Sequence, residues 1–303
     1  MNKAVVVLAG GTGGAKLARG MLDVVGADDL VVIANTGDDV EIYGGYVAPD
    51  PDLVTFWLAD RIDERGWGLA GDTFHVMEGL KELGVDVWFN LGDRDLAIAL
   101  ERARALDHGA RMTDAHRQIT EALNVSASVL PMSDRPVRTR VLAGNRWWPF
   151  QEFMIRGRGE GPVEDVDFAG ASDTEPTAEV LTAIAAARAI VIGPSNPFVS
   201  IGPILALKGL RAALASSPAP IVAVSPLVNG QVLKGPTDVF MQWSGQPLSS
   251  DGIANTYEGL IDGLVADQRT DAITVLETDV LMDTPEKRQI LAERTLSFAL
   301  GLG

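Results

Sequence analysis

The chain has no cysteine among its 303 residues, only three histidines, and 25 lysines and arginines against 41 aspartates and glutamates. The missing thiols exclude disulfides, thiolate metal sites and cysteine nucleophiles, and this suits a reducing, cytoplasmic setting. His75, His108 and His116 lack metal-ligand spacing and fall in helical patterns, which points to surface or core roles. A formal charge of −16 leaves no broad basic surface to displace counterions and argues against nucleic acid as a partner. No apolar run reaches the length of a membrane span, and the first residues run straight into a strand. Neither a membrane segment nor a signal peptide is therefore expected. There is no Gly-x-Ser-x-Gly elbow, and no Ser/His/Asp arrangement stands out. With 47% apolar and 22% charged residues, the composition is that of a globular protein with a sizeable core, in one large α/β domain or two modest ones.

The most informative stretch is Val5-Val6-Val7-Leu8-Ala9-Gly10-Gly11-Thr12-Gly13-Gly14-Ala15-Lys16. An apolar run that stops at four glycines and then enters a helical pattern reads as strand, tight loop and a helix beginning near Ala15. Glycine permits positive φ and lets backbone N–H groups converge on an anion, and the helix adds the positive end of its dipole. Phosphate is the expected guest at Gly10, Gly11, Thr12, Gly13, Gly14 and Lys16. A Walker A loop needs Gly before the Lys and Ser or Thr after it, where Ala15 and Leu17 stand, and a dinucleotide fingerprint needs a small residue in place of Lys16. The competing reading is a glycine turn that only packs strand on helix.

Alternation of β-branched runs with helical periodicity predicts an α/β, Rossmann-like, mostly parallel sheet with helices on both faces. Strands are expected at Leu30 to Asn35, Asp86 to Asn90, Ala189 to Ile192, Ile221 to Val224 and Ile273 to Leu276. Helices are expected over Asp52 to Asp63, Asp72 to Leu83, Asp93 to Asp107 and Thr284 to Leu300. Thr113 to Asn124 reads as a helix, Val137 to Leu142 and Arg146 to Ile155 as a hairpin across Ala143-Gly144-Asn145, and Gly157 to Asp173 as an exposed crossing. Residues 113–173 are thus expected to form an inserted helix-plus-hairpin subdomain, with 1–112 and 174–303 as the nucleotide-binding core.

Four loops fall at the carboxyl ends of expected strands, where open parallel sheets bind ligands. Beside the glycine loop stands Asn35-Thr36-Gly37-Asp38-Asp39, whose two carboxylates can hold magnesium once substrate phosphates complete the shell, or can simply make an Asx turn. In Asn90-Leu91-Gly92-Asp93-Arg94-Asp95, Asp93 suits a helix cap and Arg94 suits a planar polar group or phosphate. Gly193-Pro194-Ser195-Asn196-Pro197 is a rigid loop that offers Ser195 and Asn196 to a nucleobase edge, or merely packs. Trp147 and Trp148 are expected on the packed face of the hairpin.

Read in order, these loops together with Tyr43-Gly44-Gly45-Tyr46-Val47-Ala48-Pro49-Asp50-Pro51-Asp52, Gly66-Trp67-Gly68-Leu69-Ala70-Gly71-Asp72-Thr73 and Phe150-Gln151-Glu152-Phe153 resemble the 2-phospho-L-lactate transferase family of deazaflavin coenzyme F-420 biosynthesis. The resemblance spans most of the chain, with Pro51 a departure where the family carries Leu. It implies a magnesium-dependent transfer from a guanosine diphosphate ester of phospholactate, or of a phosphoenolpyruvyl or phosphoglyceryl analogue, to the deazariboflavin alcohol Fo, with release of GMP. By the same resemblance Asp50 and Arg94 bind the acceptor. The glycine loop and Lys16 are assigned to the diphosphate, Asp38 and Asp39 to metal or to the attacking hydroxyl, and Ser195 and Asn196 to the guanine end. The fold often buries a helix face in a dimer, so a homodimer is one expectation. The alternatives are a nucleotide-sugar-binding regulatory protein of the same fold without transferase activity, and an unrelated sugar-nucleotide enzyme on a similar sheet.

Overall fold

The computed structural model describes residues 4–303, so the first three residues of the 1–112 segment lie outside the described range. From the N-terminus, β1 (Val5–Ala9) leads into α1 (Gly11–Val25), and β2 (Leu30–Ala34) follows. A hairpin of β3 (Val40–Ile42) and β4 (Gly45–Val47) delivers the chain to α2 (Pro49–Leu58), α3 (His75–Glu82), α4 (Asp93–Asp107) and α5 (Met112–Ala122). After β5 (Ser128–Pro131) come β6 (Arg138–Ala143), β7 (Arg146–Pro149), α6 (Phe150–Ile155) and β8 (Val163–Ala169), and α7 (Ala178–Ala186) leads to β9 (Ala189–Ile192). The last third carries β10 (Ile221–Val224), the short pair β11 (Leu227–Val228) and β12 (Gln231–Val232), β13 (Gly263–Ala266), β14 (Val275–Glu277) and the C-terminal helix Pro285–Leu302.

One sheet in the order β14-β13-β10-β9-β1-β2-β5 organises the molecule, and its pairings are all parallel. Strand periodicity divides its side chains between two cores. Val6, Leu8, Ile190, Ile192 and Ala223 face α7 and the helices after β9. Val5, Val7, Ala9, Val191 and Val222 face α1, α2 and the C-terminal helix. The α/β architecture expected from the alternating pattern is therefore the observed one.

Three expectations change. Residues 85–90 form no strand, and the place beside β2 goes to β5, whose register runs from Val31↔Ser128 to Ala34↔Pro131. Since α5 and β5 belong to the main sheet's layers, the separate three-stranded sheet β7-β6-β8 begins at Arg138, not at Thr113. Its third strand lies in the segment expected to be an exposed crossing: Val163 and Val166 pack on the small core of Val141, Phe153 and Phe240, while Glu164 and Asp165 face water. Strand β13 had no counterpart in the sequence reading. No helix among the described residues is long and apolar enough to cross a membrane.

Candidate active site

The sheet order reverses at β1, which pairs with β2 on one side and β9 on the other, and so opens a crevice at the carboxyl ends of these strands. Three of the sequence-marked loops meet there. Asn35 N donates to Ala9 O (3.0 Å) and Gly193 N to Leu8 O (2.9 Å), which ties the loops after β2 and β9 to the end of β1.

The helix expected near Ala15 begins at Gly11 instead, so most of the glycine run is the first turn of α1. Glycine is a poor helix former, and local preference places the start later; tertiary contact overrides it. A Cβ on Gly13 would come within 1.9 Å of Pro194 O, so only glycine lets α1 dock end-on against the 193–197 loop. The first turn of any helix has N–H groups with no carbonyl behind them. Here Gly11 N donates to Asp50 Oδ1 (2.7 Å) and Gly14 N to Ser195 Oγ (3.1 Å), which leaves Thr12 and Gly13 for an incoming anion.

Asp50 is the hinge of the arrangement. It is held in the first turn of α2, where Pro49 and Pro51 sit at positions whose N–H groups have no helical partner, so the departure at Pro51 fits without loss. Its Oδ1 takes Gly11 N and its Oδ2 takes Asn35 Nδ2 (2.9 Å). Burial pushes its carboxyl up to about 6, against the pull of the Asn35 amide and the Gly11 N–H. Asp38 lies beside it, buried, with Oδ1 unpartnered, as is the buried Thr36 Oγ1. Burial and the Asp50 charge raise the Asp38 carboxyl well above the usual range. Asp39 turns toward the Arg138 and Arg102 guanidiniums, and burial still lifts it to about 8. The structure thus brings Asp38 together with Asp50, while Asp39 adds to the charge beside Asp38 and keeps both of its buried oxygens unpartnered.

Asp50 also lines a cavity of about 460 Å³. Trp67, Trp88, Phe89 and Phe56 supply flat apolar walls, and Asp95 and Gln151 supply polar points. Trp88, Phe89 and Asn90, from the stretch 86–90 expected as a strand, instead wall this cavity. Arg94 is exposed and is not among the lining residues; its N–H donates to Asp72 Oδ1 (3.0 Å). Asp93 accepts from the N–H groups of His75 and Val76 and so caps α3 as well as opening α4.

Lys16 points along α1 toward Trp57, with Nζ 5.6 Å from the ring centroid. It forms no ion pair among the described residues, and burial, Lys234 and Arg288 push its ammonium down. Ser195 is committed within the crevice: its Oγ donates to Gly10 O and receives Gly14 N. Asn196 Oδ1 caps the N–H groups of Phe198 (2.9 Å) and Val199 (3.2 Å), while its buried Nδ2 has no partner. His116 is buried against Thr55 and pushed well below 6.5 by burial; His75 and His108 are exposed. Trp148 is half-buried under Arg146, and Trp147 is exposed, so only one of the two helps fill the hairpin's face.

The sequence reading passed over Asp95, Lys234 and the cavity's aromatic walls. Asp95 stands beside the marked Arg94 and was legible as a second carboxylate at the start of a helix. Lys234 carries no local signal, since it arrives from a loop more than two hundred residues downstream of Lys16.

The profile of the 2-phospho-L-lactate transferase CofD family matches residues 5–293. A 2-phospho-L-lactate transferase of Methanosarcina mazei is 36% identical over 299 residues, covering 95% of this chain and 98% of that protein. A phosphoenolpyruvate transferase of Kitasatospora aureofaciens is 42% identical over 275 residues, covering 87% and 84%. Among solved structures, a member of the UPF0052 family from Bacillus halodurans shares the fold at a TM-score of 0.55 and 19% identity, with 91% of this chain and 89% of that one covered. Full-length similarity to transferases, on a sheet that gathers three of the four expected loops into one crevice, places the chain in the 2-phospho-L-lactate transferase family.

Proposed function

We propose that the chain transfers the phospho-acid group of a guanosine diphosphate ester to the deazaflavin alcohol Fo, in the assembly of coenzyme F-420. One observation carries the reading: Asp50 belongs to both halves of the site, bonded to the first N–H of α1 and lining the aromatic cavity. A flat tricyclic ring suits the walls of Trp67, Trp88 and Phe89, and its ribityl chain then leads toward Asp50. The donor's diphosphate suits the first turn of α1, with Lys16 on the next turn and Lys234 and Arg288 close enough to Lys16 to repel it. Asn196, with a free buried amide, remains the candidate for the nucleoside end, while Ser195 holds the turn in shape.

In this reading the terminal ribityl hydroxyl of Fo forms a new O–P bond at the phosphorus that bears the small acid. The bridging P–O bond to GMP breaks and its electron pair leaves with GMP; the hydroxyl proton passes to Asp50 or to water. Asp50 accepts from that hydroxyl, the α1 N–H groups meet the non-bridging oxygens, and the apolar walls exclude water. Magnesium fits the residues present: Asp38 has an unpartnered buried oxygen next to Asp50 and would hold it, and since no cluster of three ligating side chains stands among the described residues, substrate oxygens or water would complete the shell. Bound there, it would neutralise diphosphate charge.

The named relatives include both phospholactate and phosphoenolpyruvate transferases, so the donor acid is the open variable. Mass spectrometry of reactions holding the protein, Fo, magnesium and each of the phospholactyl, phosphoenolpyruvyl and phosphoglyceryl donors is the test. A phosphodiester product with GMP is expected from at least one donor. No product from any donor, with no Fo binding by fluorescence, overturns the reading in favour of a nucleotide-sugar-binding regulator.

A further inference from the structure

Asp95 lines the acceptor cavity from the first turn of α4, and its Oδ1 is buried without a hydrogen-bonding partner. Gly68 lies on the same wall with φ 70°, and a Cβ there would come within 3.0 Å of Asp95 Oδ2, so the loop is shaped to admit this carboxyl. Two of the other polar side chains on the wall are occupied. Asp52 is gripped by the fully buried Arg102, which donates Nη1 to Oδ2 (3.1 Å), and Asp50 holds Gly11 and Asn35. Asp95 is the lining carboxylate left with an unmet oxygen among the described residues.

Resting on the acceptor reading above, we propose that Asp95 is a specificity-determining residue that recognises the pyrimidinedione edge of the deazaflavin in its neutral form, donating O–H to a ring carbonyl and accepting the adjacent ring N–H. A carboxylic acid offers one donor and one acceptor side by side, the complement of a cyclic imide edge; a carboxylate offers acceptors only. The surroundings favour the acid. Burial, then Asp72 from the preceding loop and Asp52 from α2, push the Asp95 carboxyl up to about 7, with the Leu69 backbone and Arg65 opposing. A flat ring entering the cavity dehydrates the group further, in the same direction. Asp50, lining the same cavity, is the other nearby titrating group.

The test is a fluorescence titration of Fo into the full chain from pH 5.5 to 8.5, for the natural protein, Asp95→Asn and Asp95→Ala. Asn keeps a donor and an acceptor but does not titrate. Asp95→Asn is expected to bind within about threefold of the natural protein at pH 6, and Asp95→Ala about tenfold more weakly, the worth of a lost hydrogen bond. Above pH 7 the affinity of Asp95→Asn relative to the natural protein rises by up to about tenfold per unit, since only the natural side chain ionises. Titration of the ring and of Asp50 is common to both proteins and cancels in that ratio. A ratio that stays flat with pH, or natural affinity in Asp95→Ala, overturns the inference while leaving the acceptor reading intact. Failure of the natural protein to bind Fo at any pH overturns both.

Discussion

Replacing Asp50 by Asn separates the chemistry of the site from its support of the fold. The carboxylate receives one donor on each oxygen, Gly11 N at 2.7 Å and Asn35 Nδ2 at 2.9 Å. Asn brings one oxygen and one NH₂, so one of these buried donors must face another donor. The stranded donor costs about 1–3 kcal/mol. The opposing effect is large. Lifting the Asp50 carboxyl from 3.8 to about 6 means that its ionised form is disfavoured in the fold by about 3 kcal/mol at pH 8, a cost that neutral Asn does not carry. The value of about 6 already includes both hydrogen bonds, so the two effects nearly cancel, and the variant is expected to match the natural protein within about 2 kcal/mol in urea denaturation at pH 8. A group whose folded pKa is raised contributes stability that is full below 3.8 and is lost as pH rises through about 6. The variant should therefore lack the part of the stability slope that Asp50 supplies between pH 4 and 8. Acceptor binding should fall at least tenfold and turnover further, because the attacking hydroxyl loses its acceptor. Natural kcat/KM in a folded Asp50→Asn protein would refute the placement of Asp50 at the reacting centre. A stability loss above about 4 kcal/mol would refute the cancellation and make Asp50 chiefly a clamp of α1.

Lys16→Ala should raise the donor KM about tenfold or more and leave Fo affinity within twofold, as steady-state kinetics and fluorescence titration would show; equal effects on both substrates would move the diphosphate elsewhere. Asp38→Asn should raise the magnesium concentration needed for half-maximal activity about tenfold, and an unchanged magnesium titration would remove Asp38 from the cation site. Arg102→Met should cost about 3–5 kcal/mol in urea denaturation by stranding the buried Asp52 carboxylate, and a variant as stable as the natural protein would show that the pair is not needed for folding.

The parts of this fold legible in the sequence are those where local pattern and tertiary role agree. Val5–Ala9, Ala189–Ile192 and Ile221–Val224 are central strands buried on both faces, and they read as continuous apolar runs bounded by glycine, proline or serine. Asp93–Asp107 has acidic residues in its first turn and helical spacing throughout, and it appears as expected. The strand reading of residues 86–90 fails because a short apolar run carries no information about its partner. Trp88 and Phe89 are apolar in order to wall a cavity, and the edge position goes to Ser128–Pro131, a run of four residues closed by proline. The site was legible as separate loops but not as contacts. Adjacent Asp38 and Asp39 look like one clamp in sequence; in the fold, Asp38 keeps company with Asp50, and Asp39 with Arg138 and Arg102. A turn sends successive side chains in different directions, and no spacing rule reveals which of them meets a residue twelve positions on.

Under the proposed function, the acidic composition and a phosphate-rich donor would be reconciled by cations that hold no carboxylate. Arg19, Arg111 and Arg117 each hold two carboxylates, as ordinary surface pairs do. Lys16, Lys234 and Arg288 form no ion pair among the described residues, although the chain carries sixteen more acidic than basic groups. Lys16 and Arg288 share the Trp57 ring, at 5.6 and 5.1 Å, and burial together with mutual repulsion lowers the Lys16 ammonium. Such a group is unfavourable in the empty protein and is relieved when an anion arrives, so part of the attraction for a diphosphate is stored as repulsion in the folded chain. The α1 N-terminus adds dipoles that bring no net charge. Under the proposed function such cations would discriminate by location, since an anion is disfavoured beside the many surface carboxylates and favoured beside a cation that holds none.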